Sequence, residues 1–379
     1  DNVDSYVRVV FGNNDTIASD VTWSALSVPY RIEDRFYVDG ALTVQPGAVL
    51  DFAQHASLRV EAGGSLTAEG TADAPIVFQG ASSGTRGYWQ GISIDAGGTE
   101  APLQYGATFD HCVIADAGSD NWNGRPDTSA GLWLGGAGSA RITNTTFRNH
   151  QRYALWAGDA ARIDGFGDNT LTGNGEVMLL HADRVGELAG TSTVSGNDAD
   201  LVSVGLNGAD TVGKPATWRS LGVPYAVIGT VEVDADLTLD AGVTLQFAED
   251  LGLVVHDGAS LVAAGTPEAP VTLTGATSAP GGTWSGLRFD STAGNELVHT
   301  VVSQAGSDRW TGDPESAASL YVADDAWLTL TDVAVGPGGG FGVYLSNTGS
   351  MLSCSGVTFS GNADGPVYDD DNDVVYPGC

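Results

Sequence analysis

The chain contains the same sequence module twice, and this duplication limits the folds it can adopt more than any other feature. The segment TWSALSVPY at residues 22–30 returns as TWRSLGVPY at residues 217–225, which is 195 positions later. The same offset aligns LTVQPGAVLDF (42–52) with LTLDAGVTLQF (237–247). Self-similarity of this kind is typical of proteins built by stacking repeated structural units.

A second alignment extends the repeat toward the C-terminus. After a deletion in the second copy the offset becomes 188, and AGSDNWNGRP (117–126) then matches AGSDRWTGDP (305–314). We therefore predict two modules, residues 1–196 and residues 197–379. No Pro/Ser-rich or charged segment separates them, so we expect the modules to stack into one continuous solenoid rather than to be flexibly tethered.

Short runs within each module predict β-strands. They alternate apolar and polar residues over four to six positions, and turns rich in Gly, Asn and Asp separate them. Trp133 and Trp156 lie 23 positions apart in similar surroundings, and so do Tyr321 and Tyr344 in module 2. A period in the low twenties matches one coil of a three-sheet parallel β-helix, whose rungs are about 4.8 Å apart. The segment 177–188 is the one helix candidate.

The coil sequences resemble a known group of proteins. The run LTVQPGAVLDF followed by SLTAEGTADAPIVF resembles the coils of bacterial secreted and surface right-handed parallel β-helix repeat proteins of the pectate-lyase-like superfamily. FDHCVIADAG (109–118) and ITNTTFRNH (142–150) resemble later coils of the same proteins. The resemblance implies an all-β, single-stranded, right-handed solenoid. It implies no single activity, because many such proteins are exported repeat proteins.

The charge of the chain excludes some partners. Acidic residues number 47 against 15 basic ones, the formal net charge is −32, and Lys214 is the single lysine. Such a surface repels nucleic acid and anionic membranes. No apolar stretch is long enough for a transmembrane helix. The excess of acid indicates either solubility in a salty or calcium-rich medium or cation binding, with Ca²⁺ as the cofactor to consider.

The three cysteines suggest an exported protein. Cys354 and Cys379 are predicted to form a disulfide that closes the last coil, which leaves Cys112 unpaired. A terminal disulfide suits an oxidising compartment. The chain begins in DNVDSYVRVV, without the charged and apolar regions of a signal peptide, so we expect a secreted or cell-surface protein whose signal has been removed.

The loop AGSD-x-W-x-G-x-P is the most distinctive shared motif, and two interpretations are open. The Trp folds back over the outer sheet while the Asp caps the turn, or Asp120 and Asp308 bind a cation or a sugar. Alternation also sends Trp133 and Trp156 outward, where they form a flat sugar platform or are covered by the loop. The candidate ligand-binding residues are Trp122, Trp133, Trp156, Trp310, Tyr321 and Tyr344.

Catalysis on this scaffold would need clustered acids from neighbouring coils. The candidate catalytic residues are Asp110, Asp116, Asp120 and Arg125, but module 2 copies this acidic pattern incompletely. The C-terminal acidic run is either a solvated tail or a loose Ca²⁺ site. The candidate metal ligands are Asp120, Asp308, Asp369, Asp371 and Asp373.

The incomplete acid pattern favours a non-catalytic exported scaffold that presents loops and aromatic residues to a glycan or a surface protein. The alternatives are an acidic-polysaccharide lyase or glycoside hydrolase and a structural subunit of an extracellular filament. Residues 7–16 align with residues 202–211, which follow module 1. We therefore expect the N-terminal strand edge to accept another β-helical end, through end-to-end self-association.

Overall fold

The fold is a parallel β-helix in each of two compact units. The structure is a computed structural model that describes residues 5–10, 15–95, 106–206, 210–277, 281–313, 315–323, 325–347 and 349–379. Unit 1 comprises Asp1–Leu180 with Glu187–Val202, and unit 2 comprises His181–Gly186 with Ser203–Cys379. The strands are short and pair in parallel with the strand one coil further on, as predicted for a β-helix.

Three parallel sheets form unit 1. The strands of sheet 1 are Val7–Val9, Tyr30–Ile32, Val49–Phe52, Ile76–Gly80, Cys112–Ala115, Thr146–Arg148, Thr170–Thr172 and Thr193–Val194. The strands of sheet 2 are Thr16–Ile17, Phe36–Val38, Ser57–Val60, Gly91–Ile94, Ala130–Leu134, Tyr153–Ala157 and Glu176–Leu180. The strands of sheet 3 are Val21–Trp23, Ala41–Val44, Ser65–Glu69, Ala107–Asp110, Ser139–Thr143 and Arg162–Gly167.

Unit 2 repeats the three sheets, and we number them by their sequence counterparts in unit 1. Sheet 1 contains Tyr225–Val227, Thr244–Phe247, Val271–Gly275, Thr300–Val302, Ala334–Val335 and Thr358–Phe359. Sheet 2 contains Asp210–Val212, Val231–Val233, Gly252–Val255, Gly286–Phe289, Ala318–Val322, Phe341–Leu345, Gly365–Asp369 and Val374–Tyr376. Sheet 3 contains Ala216–Trp218, Leu237–Asp240, Leu261–Ala264, Asn295–Val298, Trp327–Thr331 and Met351–Ser355. A further strand, Ala199–Val204, spans the residues at which the two units divide.

Helical structure is minor in the described residues. A 3₁₀ helix covers Pro126–Thr128, and one α-helical turn covers Ala182–Val185. The predicted helix over 177–188 is therefore wrong for its first part, because Glu176–Leu180 is a strand of sheet 2 whose side chains continue the buried columns. The described residues contain no helix with the length and apolar character needed to cross a membrane.

The pairing register places like residues above one another. Leu58, Ile92, Leu132 and Leu155 occupy one column of sheet 2 and have no solvent exposure. Stacked aliphatic columns of this kind fill the interior of the coil and supply its hydrophobic stabilisation. Trp133 pairs with Trp156 and Tyr321 pairs with Tyr344, which confirms the predicted coil length of 23 residues at both places.

Both copies keep the same aromatic contact inside the coil. The Phe52 and Trp89 rings stack with centroids 4.0 Å apart, and the Phe247 and Trp284 rings stack at 4.1 Å. Each indole also donates a hydrogen bond to a backbone carbonyl, from Trp89 Nε1 to Ala115 at 2.7 Å and from Trp284 Nε1 to Ser303 at 2.8 Å. The indole N–H is therefore satisfied where it is buried, as a stable core requires.

The cysteines are arranged as predicted. Cys354 and Cys379 form a disulfide that closes a sequence separation of 25 residues, and Cys112 is a buried free thiol. Burial raises the pKa of the Cys112 thiol well above its ordinary value. That thiol is therefore unreactive in the folded protein, because the thiolate is the reactive form.

The glycine two positions after each core Trp, Gly91 after Trp89 and Gly286 after Trp284, provides a test of the fold. Gly91 has φ +123°, and a Cβ there would lie 2.6 Å from the Gly131 carbonyl oxygen. We expect Gly91→Ala to lower the free energy of unfolding by about 3 kcal/mol, through backbone strain and overpacking together. Gly63→Ala is the control, since Gly63 has φ +97° with nothing within 4 Å of a Cβ, and should lose only about 1–2 kcal/mol. Urea unfolding of both variants measures the difference, and equal losses would contradict the steric argument.

Candidate functional site

The repeated loop folds back over sheet 2 in the same way in both units. In unit 1 it leads into Ala130–Leu134, and Trp122 Nε1 donates a hydrogen bond to the Ala130 carbonyl at 3.1 Å. In unit 2 it leads into Ala318–Val322, and Trp310 Nε1 donates to the Ala318 carbonyl, also at 3.1 Å. Each Trp therefore fixes the loop to the first residue of the strand that follows it.

Trp122 completes a column of stacked side chains on the outer face of sheet 2. Arg59, Ser93, Trp133 and Trp156 lie in register on successive rungs. The small Ser93 leaves a gap, and the Trp122 ring occupies it: its centroid is 6.1 Å from that of Trp133, and the Arg59 Cζ lies 5.1 Å from the Trp122 ring. A cation above an indole face is an attractive arrangement.

The stacking covers the ring faces. Trp133 and Trp156 are 5.4 Å apart at an interplanar angle of 21°, and Trp122 is only 8% exposed. Gly135 and Gly158 leave room for the indoles along the backbone, since a Cβ at Gly135 would lie 1.8 Å from Trp133 Cη2. A sugar platform needs free ring faces. In unit 1 the faces contact one another, and this arrangement differs from the open platform considered from the sequence.

The column of unit 2 is built differently at one position. Arg288 occupies the rung that corresponds to Ser93, and Tyr321 and Tyr344 follow it in register. Because the Arg288 side chain fills the gap, with its Cζ 5.3 Å from the Tyr321 ring, Trp310 cannot enter the column fully. The Trp310 ring is tilted by 40° against Tyr321 at 6.4 Å, and the Trp310 carbonyl accepts a hydrogen bond from Arg288 at 3.1 Å.

Tyrosine side chains in unit 2 take the positions of the unit 1 tryptophans, and two of the tyrosine hydroxyl groups in this column hydrogen-bond to carboxylates. Tyr321 and Tyr344 stack at 5.2 Å, and Tyr368 continues the column at 5.3 Å from Tyr344. Burial and a hydrogen bond to Asp370 raise the pKa of Tyr344. A hydrogen bond to Glu315, followed by burial, raises the pKa of Tyr368. These acids accept the tyrosine protons in hydrogen bonds, which links the column to the loop and to the C-terminal hairpin.

Asp120 forms a hydrogen-bonded pair that the sequence did not predict. Its Oδ2 atom lies 2.7 Å from His55 Nδ1 and accepts a hydrogen bond from Ser119 Oγ at 2.7 Å. Burial alone would raise the pKa of Asp120, but the hydrogen bonds from Ser119 and His55 hold it below its ordinary value. His55 is 65 positions from Asp120 in the sequence. Comparison of the two modules did not single out His55, because module 2 has Asp250 at the position that corresponds to His55.

Among the described residues of unit 2, Asp308 has no histidine partner like that of Asp120. It is exposed, and its Oδ1 atom accepts the backbone N–H of Arg309 at 2.7 Å. A cleft of about 410 Å³ lies nearby, and Phe247, Asp250 and Thr283 are among the residues that line it. Thr283 stands where unit 1 has Tyr88, whose ring packs against Gly80. The loss of that ring accounts for open space in unit 2.

The other candidate catalytic residues belong to separate hydrogen-bond networks. Asp110 accepts hydrogen bonds from Thr143 Oγ1 and Asn144 Nδ2, both at 2.8 Å. Burial alone would raise the pKa of Asp110, but these hydrogen bonds hold it below its ordinary value. Asp116 is fully buried and accepts from Asn149 Nδ2 at 2.7 Å. Arg125 donates to Asp127 at 2.9 and 3.2 Å. Each of these side chains holds a turn or the loop.

The predicted metal ligands of the C-terminal run are also hydrogen-bonded within their hairpin. Asp369 accepts from the Asn372 side chain at 2.8 Å, and Asp373 accepts from the Tyr368 hydroxyl at 3.1 Å. Within the described parts of the chain, none of the five predicted ligands belongs to a set of three His, Cys, Asp or Glu side chains whose ligand atoms lie within 4.8 Å of one another. The proposed Ca²⁺ sites therefore have no preformed ligand cluster there.

Comparisons of the chain with family models, with curated proteins and with solved structures find no match. The relation to β-helix proteins of the pectate-lyase-like superfamily thus stays a prediction from the quoted coil motifs.

His150 lies close to the loop and is fully enclosed. Its Nδ1 atom accepts the Ala117 backbone N–H at 3.2 Å, and its ring fills the space that the absent side chain of Gly131 leaves open. Burial lowers the pKa of His150 to about 3 from an ordinary value of 6.5. The folded protein therefore holds this imidazole neutral.

This neutral imidazole predicts a pH dependence of stability. Between pH 6.5 and about 3 the unfolded chain binds a proton at His150 that the folded chain does not, so stability is lost as the pH falls through this window. The expected slope is up to about 1.4 kcal/mol per pH unit. Urea unfolding between pH 6.5 and 5 should show a steeper dependence for the wild type than for His150→Asn. Parallel slopes would show that folding does not change proton binding at His150, and they would contradict the lowered pKa.

The two loop tryptophans predict unequal effects on stability. We expect Trp122→Ala to lower the free energy of unfolding by about 3 kcal/mol, because both faces of the buried ring lose their contacts. Trp310→Ala should cost about 1–2 kcal/mol, because that ring is tilted and partly exposed. Near-UV circular dichroism during urea unfolding measures both, and Trp122→Phe, which keeps an aromatic ring in the column, should recover much of the loss. Equal losses for the two alanine variants would refute the packing described here.

Proposed function

We propose that the chain is a non-catalytic exported β-helix scaffold, at a cell surface or in an extracellular assembly, whose two loop tips contact a glycan or a protein. The observation that carries the proposal is the matching anchor of the loops, in which Trp122 bonds Ala130 and Trp310 bonds Ala318. The base of each loop is fixed on a rigid sheet while its tip is exposed. Rigid scaffolds with exposed loops are common sites of recognition.

The exposed tips carry side chains suited to polar recognition. Asn123 and Arg125 are exposed in unit 1, and Arg309 and Asp313 are exposed in unit 2. Basic residues are scarce in this chain, 15 against 47 acidic ones. An exposed guanidinium on each loop therefore places a positive charge on a surface that is otherwise mainly negative. Guanidinium groups recognise carboxylates in a bidentate geometry. The proposed partner is therefore a glycan or protein surface that offers carboxylates to the tips.

The hydrogen bonding of the acids supports a non-catalytic role. Asp110, Asp116 and Asp120 each accept hydrogen bonds from different partners in unit 1. Glycosidases instead need two carboxyl groups that face each other across a bond of the substrate.

A polysaccharide lyase or hydrolase is the second candidate, and one observation favours it. The His55–Asp120 pair is partly exposed and is found in unit 1 but has no matching pair in unit 2. A carboxylate that holds one imidazole nitrogen leaves the other nitrogen able to act as a base. An assay of reducing ends and unsaturated uronates over a panel of acidic and neutral glycans separates this candidate from the scaffold. Product formation that His55→Gln abolishes would establish the enzyme instead.

The scaffold proposal predicts that the loop arginines govern binding. On the same glycan panel and on immobilised acidic peptides, Arg125→Ser combined with Arg309→Ser should weaken binding by about 10–100-fold, the effect of losing charge-assisted hydrogen bonds. Arg219→Ser is the matched control for Arg125→Ser alone, because the Arg219 side chain is 45% exposed and pairs with Asp240, while that of Arg125 is 46% exposed and pairs with Asp127. Equal weakening by the control would show that general charge, and not the loops, determines binding.

A further inference from the structure

The C-terminal residues cross the last rung of unit 2 and contact all three of its sheets. Val374–Tyr376 pairs antiparallel with Gly365–Asp369 of sheet 2, unlike the parallel strands before it. Gly378 lies beside the Phe359 ring of sheet 1, and Cys379 is bonded to Cys354 in sheet 3. We call residues 374–379 the strap.

The non-covalent contacts that hold the strap are few. Val374, Val375 and Tyr376 are 39%, 48% and 40% exposed, so the strand buries little apolar surface. Three consecutive aspartates, residues 369–371, end the strand Gly365–Asp369 and begin the turn before the strap, and a fourth lies at position 373. Like charges in a tight turn repel one another, which offsets part of the stabilisation from the hydrogen bonds that Asp369 and Asp373 accept in the hairpin. The disulfide is therefore the main constraint on the strap, and Cys379 is exposed to reductants in solution.

The strap covers a strand edge that can pair again. Its own position shows that Gly365–Asp369 accepts an antiparallel strand on this edge. A released strap leaves the edge with unpaired backbone groups, and exposed edges of this kind recruit strands from other chains. A second copy of this chain carries an identical strap, so exchange would reproduce every contact of the closed form. Exchange of identical elements is a low-cost route to dimers.

We propose that the strap is a thiol-controlled clasp through which two copies of the chain exchange strands. One thiolate of a dithiol reductant attacks the Cys379 sulfur and releases the Cys354 thiolate, which takes up a proton. The second thiol of the reductant then displaces Cys379 as a thiol and closes the reductant's own disulfide. On reoxidation by glutathione disulfide, Cys379 of each copy bonds to Cys354 of the other copy, and two reduced glutathione molecules are formed for each new bond. The proposal does not depend on the partner of the loops.

Two variants that each lack one of the disulfide cysteines, and keep the buried Cys112, test the exchange. Cys354→Ser and Cys379→Ser, one of them with a tag that changes its mass, are mixed in equal amounts, oxidised with glutathione disulfide and separated on a non-reducing gel. Chance pairing would make the heterodimer as abundant as the two homodimers together. An exchanged strap holds Cys379 of the first variant at Cys354 of the second, so the heterodimer should exceed the homodimers by about tenfold.

A strand-deficient control decides whether the strap directs the bond. Replacing Val374, Val375 and Tyr376 with glycine in the Cys354→Ser chain keeps Cys379 but weakens the pairing strand, and it should return the heterodimer to the chance ratio. The buried Cys112 thiol must stay unreactive toward a thiol reagent throughout, which verifies that the coil is folded. A chance ratio in the first mixture, or an equal heterodimer yield with the glycine variant, would overturn the proposal.

Discussion

Parallel pairing in register is the constraint from which the rest of the structure follows. Each residue of a coil lies directly above its counterpart in the preceding coil. Its side chain must therefore pack against two neighbours in the same column, one in the coil before and one in the coil after. Leu58, Ile92 and Leu132 satisfy this inside the coil, where each buried chain covers the next. On the outer face the same rule stacks Trp133 on Trp156. The aliphatic columns inside the coil and the aromatic columns on its outer face are thus two results of one geometry.

The columns also explain why the two loops differ. A serine in the column of unit 1 leaves a gap that Trp122 fills, and an arginine at the matching rung of unit 2 closes that gap and tilts Trp310. One residue, Ser93 or Arg288, therefore determines how deeply a loop 20 to 30 positions further along the chain is packed. The hydrogen bond from the indole to the alanine carbonyl persists in both cases, because it requires only the start of the next strand.

The sequence predicted the fold well and the site in part. Period-two alternation and the spacing of 23 residues between Trp133 and Trp156 depend on local pattern, and the pairing register agrees with both. The disulfide followed from the position of two cysteines near one end. The His55–Asp120 pair could not be predicted, because residues 65 positions apart meet only when the length of every intervening loop is known. The sequence left open whether Trp133 and Trp156 form an open platform or are covered by the loop, and it does not show that Trp122 enters the gap above Ser93.

Differences between the copies occur as coupled pairs, and this separates structural residues from recognition residues. His150 in unit 1 packs against Gly131, whose missing side chain makes room for the imidazole. At the matching positions unit 2 has Gly338 in place of His150 and Ser319 in place of Gly131. The larger side chain is therefore on the opposite strand, and it still occupies the space between the two positions. Interior positions must change together in this way because the core is close-packed. The loop tips differ at several positions, as in WNGRPD against WTGDPE, and at the exposed ones the close packing of the interior does not constrain the choice. Divergence that packing does not compel is what exposed recognition surfaces would show.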